Sequence, residues 1–427
     1  MGLDLAAPEL RAAAEKRPWE RPEEYWPRLA DATADRSAPL VALGVEALAW
    51  NAHDMLRRAG GLPIRVATKS LRVRGVLDAV LALPGYRGLL AYTLAEAVWL
   101  SERFDDILVA YPTADRAAIA ALAGLGGSRR RGTSAAEHAA ERVTVMVDDE
   151  DQLDLIDAVA PPSRRRPIRV CLDFDASWNA PVLGHVGVLR SPVRTPERLR
   201  ALAEEVLRRQ SFELVGVMSY EAQIAGVGDR PAGRPAEGLL MRVVQRASGA
   251  ELAERRALAV AAVREIAELE FVNGGGTGSI EKTVAEGSIT EVAAGSGLFG
   301  PHLFDHYGSF SPAPAVAIAL DVVRRPNAET ATLLGGGWIA SGPAAPDRLP
   351  RPVWPEGLRY ATREGAGEVQ TPLIGPAAKH LRVGDRVWLR HTKSGEPMEH
   401  ANHVVPVLDS AALEDLDTYR GEGKCWL

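Results

Sequence analysis

The sequence predicts an α/β fold, in which a (β/α)8 barrel of the TIM type is followed by a mainly β C-terminal domain. Eight short runs of apolar and β-branched residues lie between residues 64 and 299, and most are followed by a segment of helical periodicity. Such alternation is typical of parallel strands joined by right-handed helical crossovers. Eight strands over about 240 residues match the size of a closed barrel. A doubly wound open sheet remains the alternative, because periodicity does not report closure.

The same pattern divides the chain into an N-terminal helical extension at 1–37, the barrel at 38–311 and the β-rich C-terminal domain at 312–427. The apolar periodicity across 37–61 predicts one helix, ended by Gly60 and Gly61. The predicted barrel strands are 64–68, 89–92, 107–110, 143–147, 168–174, 214–218, the run that begins at 271, and 289–299. The strand-like runs of the C-terminal domain, separated by glycine and proline turns, are 315–323, 331–341, 367–373, 385–391 and 403–409.

The composition excludes several classes of protein. A net charge of -6 and a pI of 5.9 argue against general nucleic-acid binding, which needs a basic surface. Two cysteines in unrelated contexts, Cys171 and Cys425, exclude a disulfide framework and fit a reducing compartment. No apolar run reaches the ~18 residues of a spanning helix, and the charged N-terminus lacks a signal peptide's apolar core. We therefore expect a cytoplasmic protein without nucleic-acid or membrane partners, whose arginine clusters at 129–131 and 164–166 are exposed loops.

Lys69 follows the first predicted barrel strand and is one of only six lysines in the chain. In parallel barrels the reacting groups gather at the carboxyl ends of the strands. A lysine amine that is partly desolvated in the barrel mouth loses part of its charge and can then form a Schiff base. For this feature alone, a structural or merely exposed lysine is the alternative.

The run GGGTGS at 274–279 follows the seventh predicted strand and opens a helical segment. Glycines let backbone N–H groups approach an anion closely, and Thr277 and Ser279 add hydroxyl groups. The run has neither the spacing of a nucleotide P-loop nor that of GxGxxG, and a tight structural turn is the alternative. Because barrels bind phosphate after the seventh strand, the loop and Lys69 together are far more specific than either alone.

Three further polar residues stand near the ends of predicted strands. Tyr220 follows the sixth strand, where a phenol can bind a phosphate or stack at the rim of a cofactor; a core aromatic residue is the alternative. Asp173 and Asp175 on the fifth strand face the same side by strand alternation. A metal site and a salt-bridge network are both open for them. Without a recognisable third ligand, we expect at least one to be structural.

Together these motifs resemble the barrels of the alanine racemase type, the fold-type III enzymes that bind pyridoxal 5'-phosphate (PLP). Within this group they resemble the D-threonine aldolase and D-serine dehydratase branch, and bacterial proteins described as amino acid deaminase/aldolase. The similarity extends over roughly residues 40 to 425. It rests on VATKS around Lys69, LDFDASW followed by GHVGV at 184–188, VMSYEAQ at 217–223, NGGGTGS at 273–279, TEVAAGSGLFG at 290–300 and VGDRVWLRH at 383–391.

The resemblance implies a PLP-binding barrel, a β domain and a homodimer whose active sites borrow residues across the interface. It implies that Lys69 is the aldimine lysine and that Tyr220 contacts the cofactor or the substrate. It also implies that the loop residues Gly275, Gly276, Thr277 and Gly278 bind the cofactor phosphate.

The sequence also departs from the branch. His185 replaces the arginine that precedes the glycine of the family's R-x-G-V element, so a permanent cation becomes a titratable catalytic candidate. The histidine of the branch's Tyr-x-Gly-His is missing, since Gln223 stands at its place.

The metal site of the branch is also altered. In ungapped register its ligands fall on Lys393 and Gly395, neither of which binds zinc in the usual way. A divalent metal is therefore doubtful. Our hypothesis is that the Lys393 ammonium stands where the metal would and binds the β-hydroxyl or a distal carboxylate of the substrate. In a gapped register, Glu399, His400 and His403 are the weaker alternative as metal ligands.

The resemblance implies a lyase that acts on an amino acid of the D or β-hydroxy class, a small-molecule substrate, by aldol cleavage or by dehydration and deamination. A racemase is the first alternative; its second base would be Tyr307 or the neighbouring His306, although no firm motif supports either. A non-catalytic PLP-binding protein is a second alternative, which the additional β domain disfavours. A PLP-free sugar or phosphate barrel enzyme is a third.

Overall fold

A computed structural model describes residues 2–125 and 135–427, so the arginine cluster at 129–131 lies outside the described residues. Eight parallel strands close into a barrel, which confirms the predicted fold class over the open sheet. The strands are β2 (Ile64–Ala67), β3 (Tyr86–Ala91), β4 (Ile107–Val109), β5 (Val143–Val147), β6 (Ile168–Asp173), β9 (Phe212–Ser219), β10 (Phe271–Gly274) and β11 (Glu291–Ala294). Around the barrel their order is β10, β11, β2, β3, β4, β5, β6, β9.

Helices connect these strands and cover the outside of the barrel. Their apolar faces pack on the strands in one large core that contains residues of every barrel strand. The helices that follow β2 are α4 (Arg74–Leu81), α5 (Leu94–Leu100), α6 (Arg116–Leu122), α7 (Ala135–Arg142), α8 (Glu150–Val159), α9 (Pro196–Arg208), α10 (Ala222–Ala225), α11 (Pro235–Arg264), α12 (Ile280–Val284) and α13 (Ser296–Phe299). No described helix combines the length and the apolar composition needed to cross a bilayer.

The interior of the barrel is filled by side chains rather than open. A buried cluster from strands β4, β5, β6, β9 and β10 includes Leu108, Met146 and Phe271. Beside it, Arg65 of β2 is 1% exposed and forms an ion pair with Glu291 of β11, with Nε 2.6 Å from Oε1. A buried charge of this kind needs a partner. The cluster and the ion pair therefore fill the interior of the barrel.

A short hairpin and the C-terminal sheet complete the fold. Between β6 and α9, strands β7 (Trp178–Ala180) and β8 (Gly184–Val186) pair in an antiparallel hairpin that was not predicted. The C-terminal strands are β12 (Val316–Asn327), β13 (Thr330–Leu334), β14 (Arg351–Trp354), β15 (Arg359–Tyr360), β16 (Gln370–Ile374), β17 (Arg386–Arg390), β18 (His403–Leu408), β19 (Ala411–Ala412) and β20 (Leu416–Asp417). They confirm a mainly β C-terminal region.

The prediction of one helix across 37–61 is wrong in its first part. After helices α1 (Pro8–Glu15) and α2 (Pro22–Ala32), Leu40–Gly44 forms strand β1, and helix α3 occupies only Val45–Arg58. Strand β1 lies between β12, with which it pairs antiparallel, and β18, with which it pairs in parallel. All five of its residues are buried. Pairing on both edges therefore overrides the local helical periodicity.

The prediction that the cluster 164–166 is an exposed loop is wrong for its central residue. The Arg165 side chain is buried and forms an ion pair with Asp157, 2.8 Å away. Its guanidinium carbon also lies 4.4 Å from the centroid of the Phe212 ring. Arginine buries its long stem readily when the guanidinium finds acceptors and a ring face.

Candidate active site

Lys69 lies in a short 3-10 turn, Thr68–Ser70, directly after β2. Thr68 is fully buried and donates a hydrogen bond to the carbonyl of Leu90, 3.2 Å away, which fixes the backbone of the turn. The carbonyl of Lys69 accepts a hydrogen bond from Nε of Arg72 at 3.1 Å. Its own side chain is exposed, and Nζ donates to the hydroxyl of Tyr111 at 3.1 Å. The amine therefore extends from a fixed backbone into the mouth of the barrel.

Arg190 lies between two tyrosine rings of this mouth, and the sequence analysis did not identify it. Its guanidinium carbon is 5.4 Å from the ring centroid of Tyr111 and 5.6 Å from that of Tyr220. Burial raises the pKa of Tyr111, but the positive charges of Lys69 and Arg190 lower it more, so the net shift is downward. Burial instead raises the pKa of Tyr220 to about 12.

The two aspartates predicted on the fifth barrel strand have different roles: Asp173 is the last residue of β6, and Asp175 lies two residues beyond it. Asp173 lines a cleft with Arg190 and Tyr220. Burial, together with the negative charge of Asp148, raises the pKa of Asp173 to about 7. Asp175 accepts hydrogen bonds from the amide of Ser177 and from Arg194, which is the structural role expected for one of the two.

The glycine loop after β10 is tightly packed around Tyr220. A Cβ atom on Gly276 would lie 3.1 Å from the Tyr220 ring and 2.9 Å from Cβ of Ala225. Gly275 has φ +82°, a conformation that side chains other than glycine rarely adopt. The amides of Gly275 and Gly276 donate hydrogen bonds to other residues. In the described part of the chain, the amides of Thr277 and Gly278 donate none. This loop can therefore offer N–H groups to an anion at short range.

A buried carboxylate, that of Glu221, accepts hydrogen bonds from the glycine loop, and the sequence analysis did not identify it. Glu221 is 1% exposed and accepts hydrogen bonds from the amide of Gly275 at 3.2 Å and from the hydroxyl of Ser279 at 2.9 Å. Arg256 donates to the same carboxylate at 2.9 Å. Burial raises the pKa of Glu221, but Arg256 and the hydroxyl donors lower it more, so the carboxylate stays charged. Its position directly after Tyr220 was the only signal in the sequence.

The turn after β11 connects the glycine loop with Lys69. The amide of Gly297 donates to Oγ1 of Thr277 at 3.1 Å. A Cβ atom on Gly295 would lie 2.7 Å from the carbonyl of Ala67, two residues before Lys69. Strand β11 pairs with β10 on one side and β2 on the other. With neighbouring strands about 4.8 Å apart, the loop and the lysine turn begin about 10 Å from each other.

Two further candidates from the sequence, His185 and Tyr307, lie in different surroundings. His185 is exposed on the β7–β8 hairpin, opposite Asn179, and lines neither of the described cavities. Tyr307 is 9% exposed, and its hydroxyl donates to the carbonyl of Ala225 at 2.9 Å. The Tyr307 ring lies beside Gly278, and a Cβ atom added to that glycine would be 2.6 Å from the ring. The structure therefore places Arg190, and not His185, at the phenols of the mouth.

Lys393 lies in a cavity of about 200 Å³ beside the lysine turn. The ring of Trp338 stacks on that of His400 in one wall, with centroids 5.0 Å apart. Nζ of Lys393 donates to the hydroxyl of Ser341 at 3.1 Å. Burial lowers the pKa of Lys393, and the positive charge of Lys69 acts in the same direction.

The loop that contains Lys393 touches the lysine turn directly. A Cβ atom on Gly395 would lie 1.9 Å from the carbonyl of Lys69. Only a glycine fits such a close approach of two backbones. The C-terminal region therefore places the loop of Lys393 against the lysine turn.

The gapped metal alternative does not form a cluster. Glu399 forms an ion pair with Arg72, and His403 one with Asp417 at 2.8 Å. His400 stacks on Trp338. No group of three or more metal-ligating side chains is found in the described residues 2–125 and 135–427.

Comparisons with known proteins identify the family and the fold of the chain. A family model described as alanine racemase, N-terminal domain, matches residues 44–302. A comparison with curated protein sequences gives no match. The chain is similar to the solved structure of D-threonine aldolase from Filomicrobium marinum, with 19% identity, a TM-score of 0.73 and coverage of 91% of this chain and 96% of that one.

Two further solved structures are similar. D-threo-3-hydroxyaspartate dehydratase from Delftia sp. HT23 is 17% identical, with a TM-score of 0.70 and coverage of 90% of this chain and 97% of that one. Alanine racemase from Clostridium difficile 630 is 13% identical, with a TM-score of 0.58 and coverage of 90% and 99%. At such identities the likeness is one of fold. The family model, however, spans more than half of the sequence and includes the lysine turn, the glycine loop and the turn that joins them, and the chain therefore belongs to the alanine racemase N-terminal domain family.

Proposed function

We propose that this protein is a PLP-dependent lyase that acts on an amino acid of the D or β-hydroxy class, by aldol cleavage or by dehydration and deamination. The observation that supports this most is the position of the Lys69 amine. It lies at the mouth of the barrel, beside an Arg190 cation and two phenols, and its turn begins about 10 Å from a loop built to approach an anion. Two solved structures with the same fold bear the names of an aldolase and a dehydratase of D-amino acids.

The residues present fit the cofactor. Lys69 would bind its aldehyde group, and the amides of Gly275, Gly276, Thr277 and Gly278 would bind its phosphate. The Gly275 amide donates to Glu221, so Thr277 and Gly278 are the better-placed donors. Tyr220 and Arg190 would contact the ring or its substituents. When bound, PLP withdraws electrons from one of the bonds at the Cα atom of an amino acid, and the protein selects the bond.

Lys393 is proposed to select the substrate. Its ammonium lies in a cavity next to the lysine turn and is bonded only to Ser341 among the described residues. An ammonium has three donors, which leaves two for a β-hydroxyl or for a distal carboxylate. One tightly bound zinc or manganese ion per chain that restores activity, found by metal analysis of the purified protein, would contradict this role. We also propose a cytoplasmic homodimer with shared active sites.

The first experiment tests the cofactor and its lysine. We expect the purified protein with added PLP to show an absorption band in the near-violet, and Lys69→Ala to lose that band completely. Lys379→Ala is the matched control, because Lys379 pairs with Glu329 in the C-terminal region, away from the mouth. A band that survives in Lys69→Ala, or none in the wild type, contradicts the proposal.

The second experiment identifies the reaction. The protein is incubated with a panel of D- and L-β-hydroxy amino acids, and ammonia, aldehyde and the opposite enantiomer are assayed separately. Ammonia or aldehyde is the expected product. Inversion of the substrate without ammonia or aldehyde would establish the racemase. A protein that shows the near-violet band but turns over no substrate would favour the non-catalytic PLP-binding alternative.

A further inference from the structure

Tyr111 is the only described hydrogen-bond partner of the Lys69 amine, although no sequence motif points to it. The two groups lie 3.1 Å apart at the carboxyl ends of β2 and β4. In the described residues 2–125 and 135–427, no carboxylate forms an ion pair with Lys69. The phenol is therefore the group with which this amine can exchange a proton.

The neighbours of Tyr111 favour its ionised form. Lys69, after β2, and Arg190, before α9, are the two cations that face it. Burial of the ring and the carboxyl of Asp173 at the end of β6 oppose ionisation but are outweighed. Tyr220, after β9, lies on the other side of Arg190 and stays neutral at physiological pH.

This environment is different from that of every other tyrosine in the chain. Burial raises the pKa of each of the seven others, namely Tyr25, Tyr86, Tyr92, Tyr220, Tyr307, Tyr360 and Tyr419. Tyr111 is also buried in part, so burial alone does not explain the contrast. The two cations explain it.

We infer that Tyr111 is a catalytic residue that exchanges a proton with the Lys69 amine. In one direction the O–H bond of Tyr111 breaks and an N–H bond forms on Lys69; in the other the ammonium returns that proton to the phenolate. No electrons are transferred. A lysine attacks a carbonyl carbon only through a free lone pair, which the ammonium lacks. The inference rests on the proposed function, in which this amine is the reacting group.

The cations around Tyr111 suit it to this exchange, because a lowered pKa of the phenol lies closer to the pH at which a general acid or base is most effective. Arg190 then stabilises the phenolate while the proton resides on Lys69.

The first test does not depend on the cofactor. The protein is dialysed against hydroxylamine to remove any bound aldehyde, and phenol ionisation is followed by ultraviolet absorbance from pH 6 to pH 12. We expect one phenol to ionise before the other seven, and this first step to be absent in Tyr111→Phe. It should shift to higher pH in Lys69→Ala but not in Lys69→Arg, which retains the positive charge. Tyr360→Phe, in the C-terminal sheet, should retain the first step.

The second test measures turnover. With the substrate found in the panel, we expect the kcat of Tyr111→Phe to be about 10²–10⁴ times lower than that of the wild type. Its PLP content should be unchanged, and its remaining activity should rise with pH as hydroxide replaces the phenolate. Tyr360→Phe should keep the wild-type kcat and pH profile.

The outcomes separate this inference from the proposed function. A first ionisation that persists in Tyr111→Phe, or a kcat within twofold of the wild type, overturns the inference even if the protein is a lyase. If the first ionisation depends on Tyr111 and Lys69 but no amino acid is turned over, the proposed function fails. The catalytic role of Tyr111 then fails with it, and only the proton-sharing pair stands.

Discussion

Asp173 shows how strongly the mouth of the barrel alters a single residue. Its carboxyl belongs to a strand whose apolar residues are buried on both faces, and its pKa rises to about 7 because burial and Asp148 disfavour the charge. Arg190 compensates only in part. The site therefore contains a carboxyl that changes charge near neutral pH, beside an amine and a phenol.

A pH-dependent stability follows from this shift. A carboxyl whose pKa is higher in the folded than in the unfolded protein binds its proton more tightly when folded, so its contribution to stability falls as the pH rises from about 4 to about 7. We expect Asp173→Asn to remove this loss. Its free energy of unfolding at pH 8, from urea denaturation, should exceed that of the wild type by about 1–3 kcal/mol.

The control for this measurement is Asp35→Asn, whose side chain is 77% exposed. It should differ from the wild type by the same small amount at pH 4 and at pH 8. If the difference between Asp173→Asn and the wild type does not change between these two pH values, the carboxyl titrates normally and the expectation is wrong.

At the scale of the element, the glycine loop is a rigid platform rather than a flexible turn. Glu221, Arg256 and the hydroxyls of Ser279 and Thr283 form one buried hydrogen-bonded network beneath it. Above it, Tyr220 and Tyr307 leave no room for a side chain on Gly276 or Gly278. Glycine is required here for space as much as for backbone conformation.

We expect Gly278→Ala to distort this loop. The new Cβ would lie 2.3 Å from the carbonyl of Ala225 and 2.6 Å from the Tyr307 ring, and neither can move freely. The variant should lose about 1–3 kcal/mol of stability, as for other overpacked sites, and at least tenfold of its affinity for PLP. Titration of the near-violet band and thermal unfolding measure the two effects.

Gly249→Ala is the matched control. This glycine lies within α11, and an added Cβ would meet only the side chain of Ile224 at 3.4 Å. Alanine in a helix should be neutral or slightly stabilising. PLP affinity equal to that of the wild type in Gly278→Ala would show that the loop does not bind the phosphate.

At the scale of the whole molecule, strand β1 ties the barrel to the C-terminal sheet. It pairs with β12 and β18 in the middle of that sheet, and α3 follows it without a break. In α3, Asn51 donates to the carbonyls of Leu298 and Ala313, at 3.0 and 2.9 Å. The two parts of the chain therefore share one structural element, and we expect them to unfold together.

A substitution in β1 tests this coupling. Ala42 is fully buried between the two partner strands, so Ala42→Asp buries an unpaired charge and should cost more than about 3 kcal/mol. The near-violet band of the barrel should be lost at the same lowered temperature as the tryptophan fluorescence, to which Trp354 and Trp388 of the sheet contribute. Val383→Asp, at a side chain that is 65% exposed, should leave both transitions unchanged. Separate transitions in Ala42→Asp would contradict the coupling.

The sequence by itself determined the order of the barrel strands, the position of Lys69 after the first of them and that of the glycine loop after the seventh. These are local features: buried parallel strands read as continuous apolar runs, and glycine marks a close approach of the backbone.

Only the tertiary structure decided which side chains meet at the lysine. The register of the family's R-x-G-V element made His185 the catalytic candidate. The β7–β8 hairpin instead exposes that residue, and Arg190 lies over the phenol rings. Tyr111 and Lys69 are 42 residues apart and meet because their strands end at the same rim. The sequence of β1 has a helical apolar periodicity, but the segment is a strand because two strands that are distant in sequence pair with it. Contacts between distant segments depend on how the barrel closes, which no local pattern specifies.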